Sequence, residues 1–266
     1  MGETVQVHSA DGAHIGFERI GSGPPLLLVH GGTADRSRWK PVVPALSARF
    51  TLLIPDRRGR GLSKEEPEAY AIEREAEDLL AIVESVPGGG TVRVFAHSFG
   101  ALVAMEAAMR TKAIGAMVLY EPPFPVPGGD VIDRPMMARF EELLAVDDRE
   151  GALEHFFTNV LELPPAVVEG MKGTPIWSAR LAAVHTIVRE GRAVQSWRLD
   201  PERLASIQGP VRLLLGTETT PALDAASRAL ARAMPAWELV AIEGQGHLAI
   251  DAATDVVTEL VLGHLY

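Results

Sequence analysis

Short runs that are apolar on both faces recur along this chain, and segments of helical period separate them. They lie at 26–29, 51–55, 92–96, 116–120, 211–215 and 238–242. A strand apolar on both faces belongs in the middle of a sheet covered on both sides, the usual place of parallel strands. Helical patterns at 72–86, 98–110 and 223–234, and from about 252, fall between or after these runs. Strand and helix in alternation imply right-handed crossovers. Ahead of them, segments 4–8 and 13–20 alternate apolar and polar residues around Asp11-Gly12, which reads as a hairpin. The expected fold is α/β: a mostly parallel central sheet with helices on both faces.

One stretch departs from this rhythm. Residues 122–207 carry helical patterns but no strand, and the stretch begins with the Pro-rich loop EPPFPVPGGD of 121–130. That is far more chain than a connection between neighbouring strands needs. The expected organisation is a core of 1–121 and 208–266 with a helical lid at 122–207. The length of 266 residues suits one large domain with such an insertion.

The net charge of -10, with scattered Lys and Arg, argues against nucleic acid or an anionic membrane as partner and leaves a small-molecule substrate. With no cysteine, disulfides, thiolate chemistry and Cys-ligated metal are excluded. MGETVQVHSADG at the start lacks the features of a secretory signal, and no apolar stretch reaches the ~18 residues of a membrane span. A soluble, cytoplasmic protein is expected.

The richest motif is VRVFAHSFGALVAMEAAMR at 92–110. A β-rich run passes straight into an Ala-, Met- and Leu-rich helix, with Ser98 at the join. A nucleophilic serine in a strand-to-helix elbow needs small residues two positions to either side, here Ala96 and Gly100. The helix N-terminus favours developing negative charge. The plainer reading of Ser98 is an N-cap, a place serine also favours. His247 sits in the turn Gly244-Gln245-Gly246-His247, after the last strand and before the last helix. That loop lies at the carboxyl edge of the sheet, where α/β sites collect, and a serine needs a neighbouring base to act as nucleophile. His30-Gly31-Gly32 ends the run 26–29, and glycine there lets backbone approach a substrate closely. The amides of Gly32 and Phe99 make a candidate two-donor oxyanion hole.

With these residues in place, the chain resembles the α/β-hydrolase superfamily, and within it the small lidded serine hydrolases of esterase or lactonase type. The resemblance rests on LLLVHGG at 26–32, Trp39 in the first helix, IPDRRGRGLS at 54–63, VFAHSFGALVA at 94–104, VRLLLG at 211–216 and IEGQGHLA at 242–249. It implies that Asp56 and Arg57 hold the loop after the fourth strand by packing and hydrogen bonds. Serine at position 98 sets the chain apart from the haloalkane dehalogenase and epoxide hydrolase branches, which carry aspartate there.

The family's usual triad acid lies in a Gly-x-x-Asp after the strand before the last, but here that segment reads Gly216-Thr217-Glu218-Thr219. Two carboxylates are candidates for the vacant role. Glu121 follows the strand 116–120, where some members of the superfamily place the acid, and Glu218 stands one residue early. Glu121 is preferred, because the end of a buried strand points at the active-site edge and an unpaired acid there would be costly. Asp224, or a dyad with no acid, completes the alternatives. The expected reaction is acyl transfer to water by Ser98, Glu121 and His247 from an ester or lactone, with no metal or cofactor. The alternatives are a cofactor-free haloperoxidase or perhydrolase activity, or a non-hydrolytic member of the fold that binds a small molecule. Gly31, Phe99, Phe124, Phe156, Trp177, His185 and Trp197 are the candidate pocket residues.

Overall fold

Each inner strand is packed against by both of its neighbours in the sheet and by helices above and below. The computed structural model describes residues 2–63, 70–127 and 129–266. Its strands are β1 (Glu3–His8), β2 (His14–Ile20), β3 (Pro25–Val29), β4 (Thr51–Pro55), β5 (Val92–His97), β6 (Ile114–Tyr120), β7 (Val211–Gly216) and β8 (Glu238–Ile242). Helices α1 (Val43–Ser47), α2 (Ile72–Glu84) and α3 (Phe99–Ala108) belong to the first half. Between β6 and β7 come α4 (Arg134–Ala145), α5 (Arg149–His155), α6 (Pro165–Met171), α7 (Pro175–Ala183), α8 (Ile187–Ser196) and α9 (Pro201–Leu204). The chain then adds α10 (Pro221–Ala233), α11 (Ala249–Ala252) and α12 (Thr254–Leu265).

The eight strands form one sheet in the order β1-β2-β4-β3-β5-β6-β7-β8. The β1–β2 and β2–β4 pairs are antiparallel and the rest are parallel. Alternation within strands divides the core. Leu27, Val29, Val94, Ala96, Met117 and Leu119 pack with α2, α3 and α10 on one face. Leu26, Leu28, Phe95, Val118 and Tyr120 pack with Trp39, α1 and α12 on the other. Such strands must read as continuous apolar runs, since neither face meets water. Helix α3 is buried along its whole length, which explains why its sequence is apolar all round.

The chain runs from β3 out to β4 on one side and then returns to β5 on the other, so the winding reverses between β3 and β5. Ligand sites of open α/β sheets lie beyond the carboxyl ends of the strands at such a switch point. Gly31 and Gly32 follow β3 there, and Ser98 follows β5. Glu121 follows β6, Thr219 follows β7 and His247 follows β8.

Asp56, which is fully buried, holds the loop after β4 as expected: its Oδ1 accepts from the Arg36 amide at 2.7 Å and its Oδ2 from the Leu62 amide at 2.8 Å. One detail differs from the sequence reading: Trp39 ends a 3₁₀ turn, Arg36–Trp39, in place of an α-helix. The last helix, read from about 252, begins at Thr254 after Ala253, whose φ of -138° and ψ of 50° lie outside the helical region. The helices of the 122–207 stretch share their own core, with Phe140, Phe157 and Val184 fully buried. Among the described residues no helix is long and apolar enough to cross a membrane.

Candidate active site

Ser98 adopts φ 56° and ψ -130°, a conformation open almost only to glycine. Such a residue costs about 1–3 kcal/mol and persists only where its surroundings enforce it. Here they do. The Ser98 amide donates to the Tyr120 carbonyl at 2.8 Å, and the Ser98 carbonyl accepts from the Ala101 amide at 2.8 Å. The turn is also too tight for side chains nearby. A Cβ on Gly100 would lie 2.4 Å from the carbonyl oxygens of Val29 and His30, and one on Gly31 would lie 2.8 Å from Ser98 Cβ. The Ser98 hydroxyl makes no capping bond to α3, so the N-cap reading does not describe it.

His247 and Glu121 meet across the ends of β6 and β8. Glu121 is fully buried at φ 48°, and its Oε2 lies 2.5 Å from His247 Nδ1. A carboxylate only accepts, so Nδ1 carries the proton of this contact. Two more donors fix the carboxylate: the Gly216 amide to Oε1 at 2.8 Å and the Thr219 hydroxyl to Oε2 at 2.9 Å. Thr219 thus stands where the resemblance implied an acid and instead orients Glu121. Glu218 is exposed; its amide donates to the Gln245 carbonyl at 2.8 Å, and its carboxylate has no bond to His247 among the described residues. Asp224 pairs with Arg228 at 2.8 Å. Behind His247, His97 Nε2 donates to the His247 carbonyl at 3.0 Å, with ring centroids 4.4 Å apart. Burial pushes the His97 pKa well below the usual histidine range, so this support is neutral. The Tyr120 hydroxyl binds the Gly246 carbonyl. No hydrogen bond joins Ser98 to His247 among the described residues; the two share the wall of one cavity.

The peptide between Gly31 and Gly32 is anchored from behind. Its carbonyl accepts from His30 Nδ1 at 3.0 Å and from Arg57 Nη2 at 3.1 Å. In a trans peptide the amide N–H points opposite to the carbonyl, so the Gly32 N–H faces away from Arg57. Gly32 and Phe99 both line the cavity beside Ser98. Arg57 is itself locked, with its guanidinium 4.8 Å above the Phe99 ring and 3.1 Å from both oxygens of Glu75.

A model of the alpha/beta hydrolase family matches residues 26–260. The chain belongs to that family. A crystal structure of an alpha/beta hydrolase from Sphaerobacter thermophilus superposes with a TM-score of 0.82 at 35% identity, covering 96% of this chain and 99% of that one. The magnesium-chelatase 30 kDa subunit of Rhodobacter capsulatus is 28% identical over 253 residues, 91% of this chain and 87% of its own. A bromoperoxidase from Bacillus anthracis shares the fold with a TM-score of 0.82 at 19% identity, over 99% of each chain.

In this alpha/beta hydrolase the cavity beside Ser98 is walled by Val131, Ile132, Phe156, Ile187, Val194 and Leu223, among other apolar side chains. Gly31 borders it on the His97 side. Four of the expected pocket residues lie elsewhere. Phe124 packs on Trp197 at 5.0 Å in the sheet-face core, so neither ring reaches the cavity. Trp177 stacks on Phe157 at 6.0 Å inside the helical insertion. His185 is exposed and donates from Nε2 to the Gly59 carbonyl at 3.2 Å. Aromatic character in the sequence does not distinguish packing from lining, and here packing prevails.

The residue that sequence reasoning missed is Glu190, which lines the cavity from α8 and is 1% exposed. Its signal was present: Ile187, Glu190, Gly191 and Val194 recur at helical spacing, which sets an acid on the apolar face.

Proposed function

We propose that this protein is a serine hydrolase that transfers the acyl group of an ester or lactone to water, with Ser98 as nucleophile, His247 as general base and Glu121 as the triad acid. The observation that carries this reading is the strained Ser98 at the switch point, sharing its cavity with a histidine whose Nδ1 is bound at 2.5 Å to a buried glutamate. His247 Nε2 takes the Ser98 proton as Oγ attacks the carbonyl carbon. The resulting oxyanion is held by the amides of Gly32 and Phe99, fixed donors that need no reorganisation. Collapse expels the alcohol, which takes its proton from His247; in a lactone it stays attached to the acyl chain. Water then attacks the acyl-enzyme while His247 removes its proton, and the second collapse restores Ser98 and releases the acid. Glu121 stays ionised throughout, fixing the imidazole tautomer and stabilising its protonated form. The apolar walls favour a moderately apolar substrate. The helices of 122–207 act as a cap over it. The scheme requires no metal or cofactor.

Mass spectrometry after treatment with a fluorophosphonate tests this reading. A single adduct mapping to Ser98, absent from Ser98→Ala, is expected; the lack of any adduct on Ser98 would overturn it and leave a binding role for the fold.

A further inference from the structure

Among the described residues, Glu190 is the one carboxylate on the wall of the cavity described above, and Arg180 borders that cavity only on the Gly31 and His97 side. Its two carboxylate oxygens are used unequally. Oε1 accepts from Arg57 Nη2 at 2.8 Å and also from Arg60 Nη2. Oε2 is buried and has no hydrogen-bond partner among the described residues. That oxygen lies 3.3 Å from where a Cβ on Gly32 would stand, alongside the peptide that holds the developing oxyanion. Burial raises the Glu190 pKa, but Arg57, Arg60 and Arg189 outweigh it and hold the group below the usual carboxylate range, so the oxygen is a full acceptor. Ile132, Ile187 and Val194, which line the same cavity, offer no donor. An unpaired acceptor shut away from water is costly unless something supplies a donor.

We propose that Glu190 Oε2 is a specificity element that accepts a hydrogen bond from the substrate, and that the acyl group carries a neutral donor, a hydroxyl or amide N–H, on the carbon next to the scissile carbonyl. The inference rests on the hydrolase reading above. The donor belongs to the acyl side because the leaving oxygen must face His247, which protonates it, whereas Glu190 flanks Gly32 on the oxyanion side. A neutral donor suffices because two guanidiniums already meet the charge on Oε1. The arrangement also disfavours an acyl group with an acceptor or a carboxylate at that carbon, since either would face Oε2 without a proton between them.

The test compares ethyl butanoate, both enantiomers of ethyl 2-hydroxybutanoate, and both enantiomers of ethyl 2-fluorobutanoate, with acid release followed in a pH-stat. Fluorine keeps the approximate size and the inductive pull of the hydroxyl but donates nothing. For the wild-type protein, kcat/KM for one hydroxy enantiomer is expected to exceed that of the fluoro ester of the same spatial arrangement by tenfold or more. In Glu190→Gln the amide nitrogen takes the place of Oε2 and presents donors where an acceptor stood, so the ratio is expected to fall to about one or invert. Hydrolysis of both esters by the wild type at equal rates, or faster hydrolysis of the fluoro ester, would overturn this inference and leave the hydrolase reading intact. Hydrolysis of none of the esters would also overturn this inference, whereas the hydrolase reading stands or falls separately on the fluorophosphonate adduct at Ser98. The wild-type ratio decides the matter even if the variant does not fold.

Discussion

Thr219 stands where the resemblance implies a triad acid, and the proposed mechanism gives that role to Glu121. Its hydroxyl donates to the carboxylate that comes in from β6, so Glu121 is held by Thr219, the Gly216 amide and His247 together. Thr219→Val removes one of these donors while keeping the shape. The proposed mechanism predicts roughly a fivefold fall in kcat/KM on a reactive ester, about the worth of one hydrogen bond of 1 kcal/mol. KM is expected to stay near its wild-type value, because Glu121 steadies a charge that develops only in the transition state. At this scale the sequence was informative where backbone and chemistry coincide. Ser98 and His247 sit in turns whose glycines betray their shape. The pairing of Glu121 with His247 could be argued only from the end of a buried strand, since nothing local links residues so far apart. Glu190 escaped notice because its significance depends on Arg57 and Arg60, which approach it from the loop after β4.

At the scale of elements, strand runs and helical periods marked the sheet well because a doubly covered parallel sheet forces continuous apolar strands. Their ends were less legible. The break at Ala253 and the 3₁₀ turn at Arg36–Trp39 arise from local backbone angles that apolar spacing does not encode. The segment between β6 and β7 is helical, as its patterns read, but which of its aromatics face the cavity was not legible, because Trp177 and Phe124 are buried by packing on Phe157 and Trp197. The contact between α3 and β3 is a tight link between an element and the site. Gly100→Ala would drive a methyl group into the Val29 and His30 carbonyl oxygens, so α3 must shift away from β3. We predict a loss of about 3 kcal/mol in urea unfolding, the upper range for overpacking, together with loss of fluorophosphonate labelling. Retained stability and labelling would show that the elbow tolerates a displaced helix.

For the molecule as a whole, two buried neutral histidines link stability to pH. His30 Nε2 accepts from the Arg57 amide at 3.1 Å, and a protonated Nε2 would oppose that N–H. Burial, chiefly, sets the pKa of both His30 and His97 well below the usual histidine value. A folded pKa below the unfolded value of about 6.5 means the unfolded chain binds more protons in the window between them. The stability these two histidines contribute is therefore complete above about pH 6.5 and is lost as the pH falls toward their folded values, by about 1.4 kcal/mol per pH unit for each. Urea midpoints taken from pH 7.5 down to 5.5 should fall accordingly. His97→Gln keeps a donor for the His247 carbonyl without titrating, and is expected to make the decline shallower. An unchanged slope would mean His97 does not contribute to it.

In the proposed mechanism Ser98 is activated through His247 by Glu121 and not by Glu218. The most direct measurement is the rate of fluorophosphonate labelling of Ser98 in the wild type, Glu121→Gln and Glu218→Gln, which needs no knowledge of the natural substrate. Loss of the acid that fixes the tautomer should slow labelling by roughly 10²–10⁴-fold in Glu121→Gln, while Glu218→Gln stays within about twofold of the wild type, since Glu218 is exposed and unattached to His247. Equal labelling rates in the two variants, or a larger loss in Glu218→Gln, would contradict the account.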